Sequence, residues 1–240
     1  MYVKQKSTKN YTTTVKKKHR KENGLFVAEG EKVVHELLTY GWKAEQVFSI
    51  DPIKNIPHTL VEPSELKKIS FFSSASSILG VFHLPNYDHN NNNDPGFSMA
   101  LDNISDPGNL GTIIRLCDWF GIKKIYCSPN TVDCFNPKVV QSTMGSIARV
   151  QCLYVDLMEL IENFGFEIYA AALSGKSIYK ESFSSNGLLL MGSESHGIGK
   201  SLLEKIKNQI TIPNFSSNKL PESLNVSTAT AIVLSEIFRP

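Results

Sequence analysis

The chain has 240 residues, 41% hydrophobic and 20% charged, which is an ordinary globular composition with length for one large domain or two small ones. No apolar run approaches the ~20 residues of a membrane span, and the opening MYVKQKSTKN is too polar for a secretory signal, so the expected compartment is the cytoplasm. The net charge of +2 conceals an asymmetry: residues 1–24 carry eight Lys or Arg against one Glu, about +7, and leave the remainder near −5.

The basic cluster is KKKHRK, and Lys16, Lys17, Lys18, Arg20 and Lys21 are its cations. A solvated arm is one reading. Contact with a polyanion is the other, since cationic side chains displace counterions from a phosphate backbone. Next, GLFVAEGEKVVHELLTYG reads as a short apolar strand, an amphipathic helix from near Glu29 and a stop at Gly41. AEQVFSI and GVFHLP read as buried strands with helical VEPSELKKIS between them. Residues 1–86 are therefore expected to form a small α/β module, and the polar YDHNNNNDPGF makes 87–96 a linker.

From 97 to 240, short apolar runs alternate with helical patterns: FSMALDN, a helix after Asn109, IKKIYCS, a helix from Asn136, QCLYVD, MELIENFG, EIYAAAL, GLLLMGSE, GKSLLEKIK, QITIPN and a closing helix from Ser223. Such alternation predicts a mostly parallel sheet covered by helices, with ligands beyond the carboxyl ends of its strands. Three unusual stretches fall at such ends, namely 102–115, 192–199 and 212–227. The four cysteines (Cys117, Cys127, Cys134, Cys152) show neither CxxC pairing nor metal-ligand spacing, which predicts reduced thiols and no metal.

In ISDPGNLGTIIR, Pro107 and Gly108 make a turn, Asn109 is placed to cap a helix, and Arg115 lies nearly two turns inside it. GSESHGIGK is a near miss for a phosphate-binding loop, because Gly199-Lys200-Ser201 requires glycine where Glu194 stands. No strand-linked GxGxxG supports a dinucleotide fold either. Glycines at 192, 197 and 199 still let backbone approach a small ligand closely. In ESLNVSTATAIVLSEIF, Ser223 suits a cap, which leaves Asn225 unexplained, and Ala229, Ala231, Ile232, Leu234 and Ile237 suit close burial, including against another subunit.

Taken in order, DNISDPGNLGTIIR, LLLMGSESHGIG and ITIPN…ESLNVSTATAIV resemble the three signature motifs of the SpoU/TrmH family of RNA ribose 2′-O-methyltransferases, within the SPOUT superfamily. RKENGLFVAEGEKVVHELL is similar to the start of the small ribosomal-protein-like RNA-binding module of many members. The resemblance implies an α/β fold whose C-terminal sheet is threaded into a deep trefoil knot, S-adenosylmethionine as cofactor, structured RNA (ribosomal or transfer) as substrate, and a homodimer with active sites at its interface. It also implies backbone contacts to the cofactor from Gly192, Ser193, Gly197, Ile212, Pro213 and Leu224, and a catalytic set of Asn109, Arg115, Glu194, Ser223 and Asn225. Two departures stand out. NFSSNKLPE, between Pro213 and Ser223, is longer than usual and lacks the usual glycine; and in QSTMGSIARV, which fits the family's second helix, Gln141 replaces a common basic residue.

The competing expectation is a non-catalytic RNA-binding protein on the same fold. The motif side chains argue against it, since all five polar residues are present.

Overall fold

The structure is a computed structural model that describes residues 17–87, 95–216 and 223–240. It divides into two compact units: residues up to 86 together with 133–149, and residues 87–132 together with 150–240. The 88–94 part of the expected linker, Lys16 and residues 217–222 of the long connection lie outside the described residues.

The first unit opens with helix α1 (Lys17–Asn23), followed by strand β1 (Leu25–Glu29) and helix α2 (Glu31–Thr39). Strands β2 (Ala44–Ser49) and β3 (Thr59–Leu60), helix α3 (Pro63–Ile69) and strand β4 (Ile78–His83) complete its N-terminal part. The sheet runs β1-β4-β2-β3, antiparallel except for the β2/β3 pair. Its interior is filled by Phe26, Val34, Leu37, Phe48, Leu79, Val81 and Phe82. Gly41 ends α2 at φ +77°, a left-handed turn that a side chain would strain.

Residues 133–149, expected to belong with the C-terminal sheet, pack instead with the first unit. They contain helix α5 (Pro137–Ser142), capped by Asn136, and a short 3₁₀ turn at Ser146–Ala148. Phe135 lies 4.7 Å from Phe26 between ring centroids, and Trp42 Nε1 donates to the Ala148 carbonyl at 3.2 Å. A buried aromatic cluster and a satisfied indole explain why this excursion is drawn in.

The second unit holds β5 (Phe97–Asp102), α4 (Pro107–Trp119), β6 (Lys124–Cys127), β7 (Gln151–Tyr154), α6 (Leu157–Asn163) and β8 (Glu167–Ser177). Strand β9 (Gly187–Gly192), α7 (Lys200–Lys205), β10 (Asn208–Thr211) and α8 (Val226–Ile237) follow. Its six strands are all parallel, in the order β10-β8-β9-β5-β6-β7. Strands such as FSMALD and GLLLM are buried along their whole length, as a parallel sheet covered on both faces requires. Ala100, Leu188 and Leu190 meet Leu157, Leu160 and Leu202 of α6 and α7 on one face. Period-two alternation sends Met99, Leu101, Leu189 and Met191 to the other, where α8 contacts both α4 and β9.

Candidate functional site

The chain order reverses between β5 and β9, which lie side by side with Asp102 opposite Gly192 at their carboxyl ends. A crevice at such a reversal is where open α/β sheets bind ligands. The loops leaving these two ends, together with the start of α8, build the site.

Asp106 caps α4: its Oδ1 accepts the Asn109 N–H at 2.8 Å, and Pro107 occupies the first turn, where a missing N–H costs nothing. The expectation that Asn109 caps this helix is thereby corrected. Asn109 sits in the first turn, and its side chain is free to donate Nδ2–H to Glu194 Oε1 at 2.7 Å. A second correction falls on α8, whose cap is Asn225 rather than Ser223. Asn225 Oδ1 accepts the N–H groups of Ser227 and Thr228 at 3.0 and 3.3 Å. Its Nδ2 donates to Glu194 Oε1 at 2.6 Å and to Asn109 Oδ1 at 3.0 Å. Asn225 follows Ser223 so closely because it does both jobs, holding the helix with its oxygen and the site with its nitrogen.

Glu194 Oε1 is thus the acceptor on which three motifs converge, with Val226 N–H a longer third donor at 3.4 Å. The triangle Asn109–Glu194–Asn225 joins residues up to 116 positions apart in the chain. It borders a cleft of about 70 Å³ lined by Ile104, Ser105, Asp106, Asn109, Ser193, Glu194, Ser195 and Val226. That lining has two carboxylates and no cation, so it favours a hydroxyl or a positive group over a bare phosphate.

The loop after β9 is closed on itself. Ser193 N–H donates to the Gly197 carbonyl at 3.1 Å and Gly197 N–H to the Ser193 carbonyl at 2.8 Å, with Gly197 at φ +67°. A Cβ on Gly192 would lie 2.1 Å from the Gly197 carbonyl carbon, so only glycine fits. Ile212 and Pro213 follow β10 directly, at the same carboxyl edge of the sheet, and Leu224 precedes the α8 cap with 46% of its surface exposed. Ser223 is exposed and makes no side-chain hydrogen bond among the described residues.

Arg115 is not part of this network. It is exposed on α4 in a stripe with Thr112 and Trp119, and it has no hydrogen bond or ion pair among the described residues. Six residues of helix carry it about 9 Å along the axis and some 240° around it from Asn109. In the basic cluster, Lys18 and Lys21 are exposed, but Arg20 is buried against Asp133, contrary to its expected place on a solvent-facing arm.

Sequence reasoning missed Asp102. This buried carboxylate accepts Gly199 N–H at 2.8 Å and Asn103 Nδ2–H at 2.7 Å, tying the loop after β9 to the end of β5. Its signal was an acid closing an otherwise apolar strand, followed by Asn103 at φ +57°. Among the described residues no group of three or more His, Cys, Asp or Glu converges as a metal site.

Residues 96–235 match the model of the SpoU rRNA Methylase family, and residues 6–80 match an MRM3-like substrate binding domain. A 23S rRNA (guanosine(2553)-2′-O)-methyltransferase of Bacillus subtilis is 27% identical over 97% of this chain and 96% of its own length. A Porphyromonas gingivalis structure assigned to the TrmH family of RNA methyltransferases superposes with TM-score 0.88 at 31% identity, covering 100% of this chain and 99% of that one. An AdoMet-bound rRNA methyltransferase from Sinorhizobium meliloti gives 0.86 at 27%, covering 100% and 97%.

Proposed function

The chain belongs to the SpoU rRNA Methylase family, and from that premise we propose that it transfers a methyl group from S-adenosylmethionine to a ribose 2′-hydroxyl of structured RNA, ribosomal or transfer. The observation that carries this reading is the convergence of Asn109 and Asn225 on Glu194 beside a cationless cleft at the carboxyl ends of β5 and β9. The AdoMet-bound relative and the 2′-O-methyltransferase of B. subtilis support it.

The residues fit the cofactor. Gly192 leaves no bulk at the end of β9, Ser193 and Gly197 offer backbone and one hydroxyl, and Leu224 presents uncovered apolar surface suited to a purine face. Ile212 and Pro213 add neutral backbone at the same sheet edge. When bound, S-adenosylmethionine supplies a methyl on a cationic sulfonium, an electrophile ready for displacement.

The chain's task is to hold the 2′-hydroxyl in line and to ease loss of its proton. Positioning contributes on the order of 7–11 kcal/mol to such reactions. Glu194, with Oε1 fixed by Asn109 and Asn225, orients the sugar, and Ser223 stands at the same helix entry. Arg115 is the remaining group. Removing a proton from a guanidinium at pH 7 costs roughly 7 kcal/mol, so it acts as a planar clamp on the adjacent phosphate, lowering the hydroxyl's pKa while phosphate or water takes the proton.

Arg115 reaches a cleft when two copies pair. A homodimer is supported by the unpaired guanidinium on an exposed stripe, by Trp119 with 84% of its surface exposed on the same helix, and by Ala229, Ala231, Ile232 and Ile237, half-covered on α8. Two uncompensated carboxylates at the cleft then meet a cation from the second copy. Of the residues expected to be buried on α8, Leu234 alone is fully covered within one chain. The trefoil knot belongs to the same proposal: β10 is added beyond β8, and the chain then returns to set α8 against β9 and α4. The compartment that fits is the cytoplasm, where RNA is found and thiols stay reduced; all four cysteines are buried. Among the described residues no helix is long and apolar enough to cross a membrane.

The test is transfer of labelled methyl from S-adenosylmethionine to total RNA, read as alkali-stable dinucleotides. Their appearance supports ribose methylation. Label confined to bases, or none with RNA still bound, replaces it with base chemistry or with the non-catalytic binding protein. Mapping ribose methylation with and without the gene then names the nucleotide.

A further inference from the structure

Resting on the reading that the substrate is RNA, we infer that Asp133 is a positioning residue for RNA capture: its carboxylate docks α1 so that Lys18 and Lys21 form a fixed surface for the phosphate backbone. Helix α1 is not self-sufficient. It has seven residues, no acid in its first turn, and like charges three apart at Lys18 and Lys21, offset only by a long, exposed pair between Lys18 and Glu22 at 4.0 Å. Isolated helices this short are marginal, and like-charge pairs disfavour them further.

What holds α1 is Arg20. Its side chain is 3% exposed, with Nε and Nη2 donating to Asp133 Oδ2 at 3.2 and 2.6 Å. The Asp133 carboxylate is itself fixed, because Oδ1 accepts the Phe135 N–H at 3.0 Å and the Phe135 ring packs on Phe26 of β1. One charge of the basic cluster is thereby spent on anchorage. Lys18 and Lys21, three residues apart, share the opposite, exposed side of the helix, about 60° from each other and 100° or more from Arg20. Four more lysines precede α1 in the sequence, at 4, 6, 9 and 16, so the surface that Arg20 anchors is the root of the most basic segment of the chain. A phosphate backbone is the occupant that this charge selects.

The inference makes a prediction whose sign is opposite to simple electrostatics. Removing a carboxylate from a basic, RNA-facing segment ought to tighten binding. Losing the anchor ought to weaken it, because binding must then order the helix as well. Asp133→Asn keeps Oδ1 as the acceptor for Phe135 N–H, but its Nδ2 puts a donor where Oδ2 accepted both Arg20 bonds, so the anchor loses its charge and its hydrogen bonds together.

With the full chain and a fluorescein-labelled RNA stem–loop, Asp133→Asn is expected to weaken binding about tenfold. The R20M/D133N double variant, which removes both charges of the buried pair and keeps the acceptor for Phe135 N–H, is expected to stay within about twofold. K18Q/K21Q is expected to flatten the log–log salt dependence by roughly 0.7–0.9 for each phosphate no longer neutralised. Unchanged or tighter binding by Asp133→Asn overturns the inference, as does an unchanged salt slope in K18Q/K21Q, which needs no change to the anchor. Equal weakening toward polyglutamate overturns the assignment of RNA as the partner. Methyl transfer by the wild type judges the enzymatic reading separately, so the two can fail independently.

Discussion

At the carboxyl edge of the six-stranded sheet, the carboxylates of Asp102 and Glu194 are satisfied by neutral N–H donors, from Gly199, Asn103, Asn109 and Asn225. In the first unit the corresponding charges meet opposite charges, Arg20 with Asp133 and Arg149 with Glu36, while the Arg149 guanidinium also lies 4.7 Å above the Tyr40 ring. The two ion pairs grip the 133–149 excursion at its first and last residues. A charge paired with a charge is used up in holding structure. A carboxylate held by amides keeps its negative potential and stays available to a cation or a hydroxyl. The difference separates the Asn109–Glu194–Asn225 cluster from the two ion pairs that hold 133–149. It belongs to these groups rather than to whole units, since Glu29 of the first unit also has neutral donors and Lys205 of the second pairs with Glu162.

The comparison breaks most visibly at Arg115. Arg115→Lys keeps the charge and loses the planar fork, so turnover is expected to fall about 100-fold or more while cofactor affinity by calorimetry stays near normal. Full activity in that variant rejects the clamp. Glu194→Gln is expected to act next most strongly, lowering kcat about 10- to 100-fold, since an amide replaces a charged acceptor shared by three donors. Because Glu194 is exposed, thermal unfolding is expected to change little; a large stability loss without a kinetic one would make the triangle structural.

The smallest effect sharpens the contrast from the other side. Glu29, buried at the end of β1, binds Ser70 Oγ–H and Phe71 N–H at 2.7 Å each, and burial pushes its carboxyl above the ordinary glutamate range. Stability lent by the protonated form is full below the ordinary value of about 4.3 and is lost as pH rises through the raised one. Glu29→Gln removes that titration. Its melting temperature relative to wild type is expected to climb with pH across this window, and a flat or falling difference contradicts the assignment.

Much of this was legible in the sequence, for physical reasons that differ by element. Short apolar runs placed most strands of both sheets, because a strand covered on both faces reads as a continuous apolar run, and period-3.6 patterns placed the helices. Gly192 was legible because only glycine permits the approach to Gly197. The caps were not. Asp106 and Asn225 had neighbours, Asn109 and Ser223, equally able to cap, and which one does so depends on Glu194, 85 and 31 residues away in sequence. The placement of 133–149 was illegible for a similar reason. Its helix pattern is the same whether Phe135 packs on Phe26 or on the larger sheet, and only three-dimensional pairing with Arg20 and Glu36 decides. Arg20 shows the limit of charge counting: in composition it looks like the rest of KKKHRK, yet it is buried, while Lys18 and Lys21 are exposed.

The central claim is that Arg115 of one copy completes the Asn109–Glu194–Asn225 cleft of another. Mixing two inactive variants, Arg115→Ala and Asn225→Ala, under conditions of subunit exchange tests it directly. If each two-fold pair has one intact site among the mixed dimers, about a quarter of wild-type methyl transfer returns. A mixture no more active than either variant alone, with exchange verified, contradicts the account.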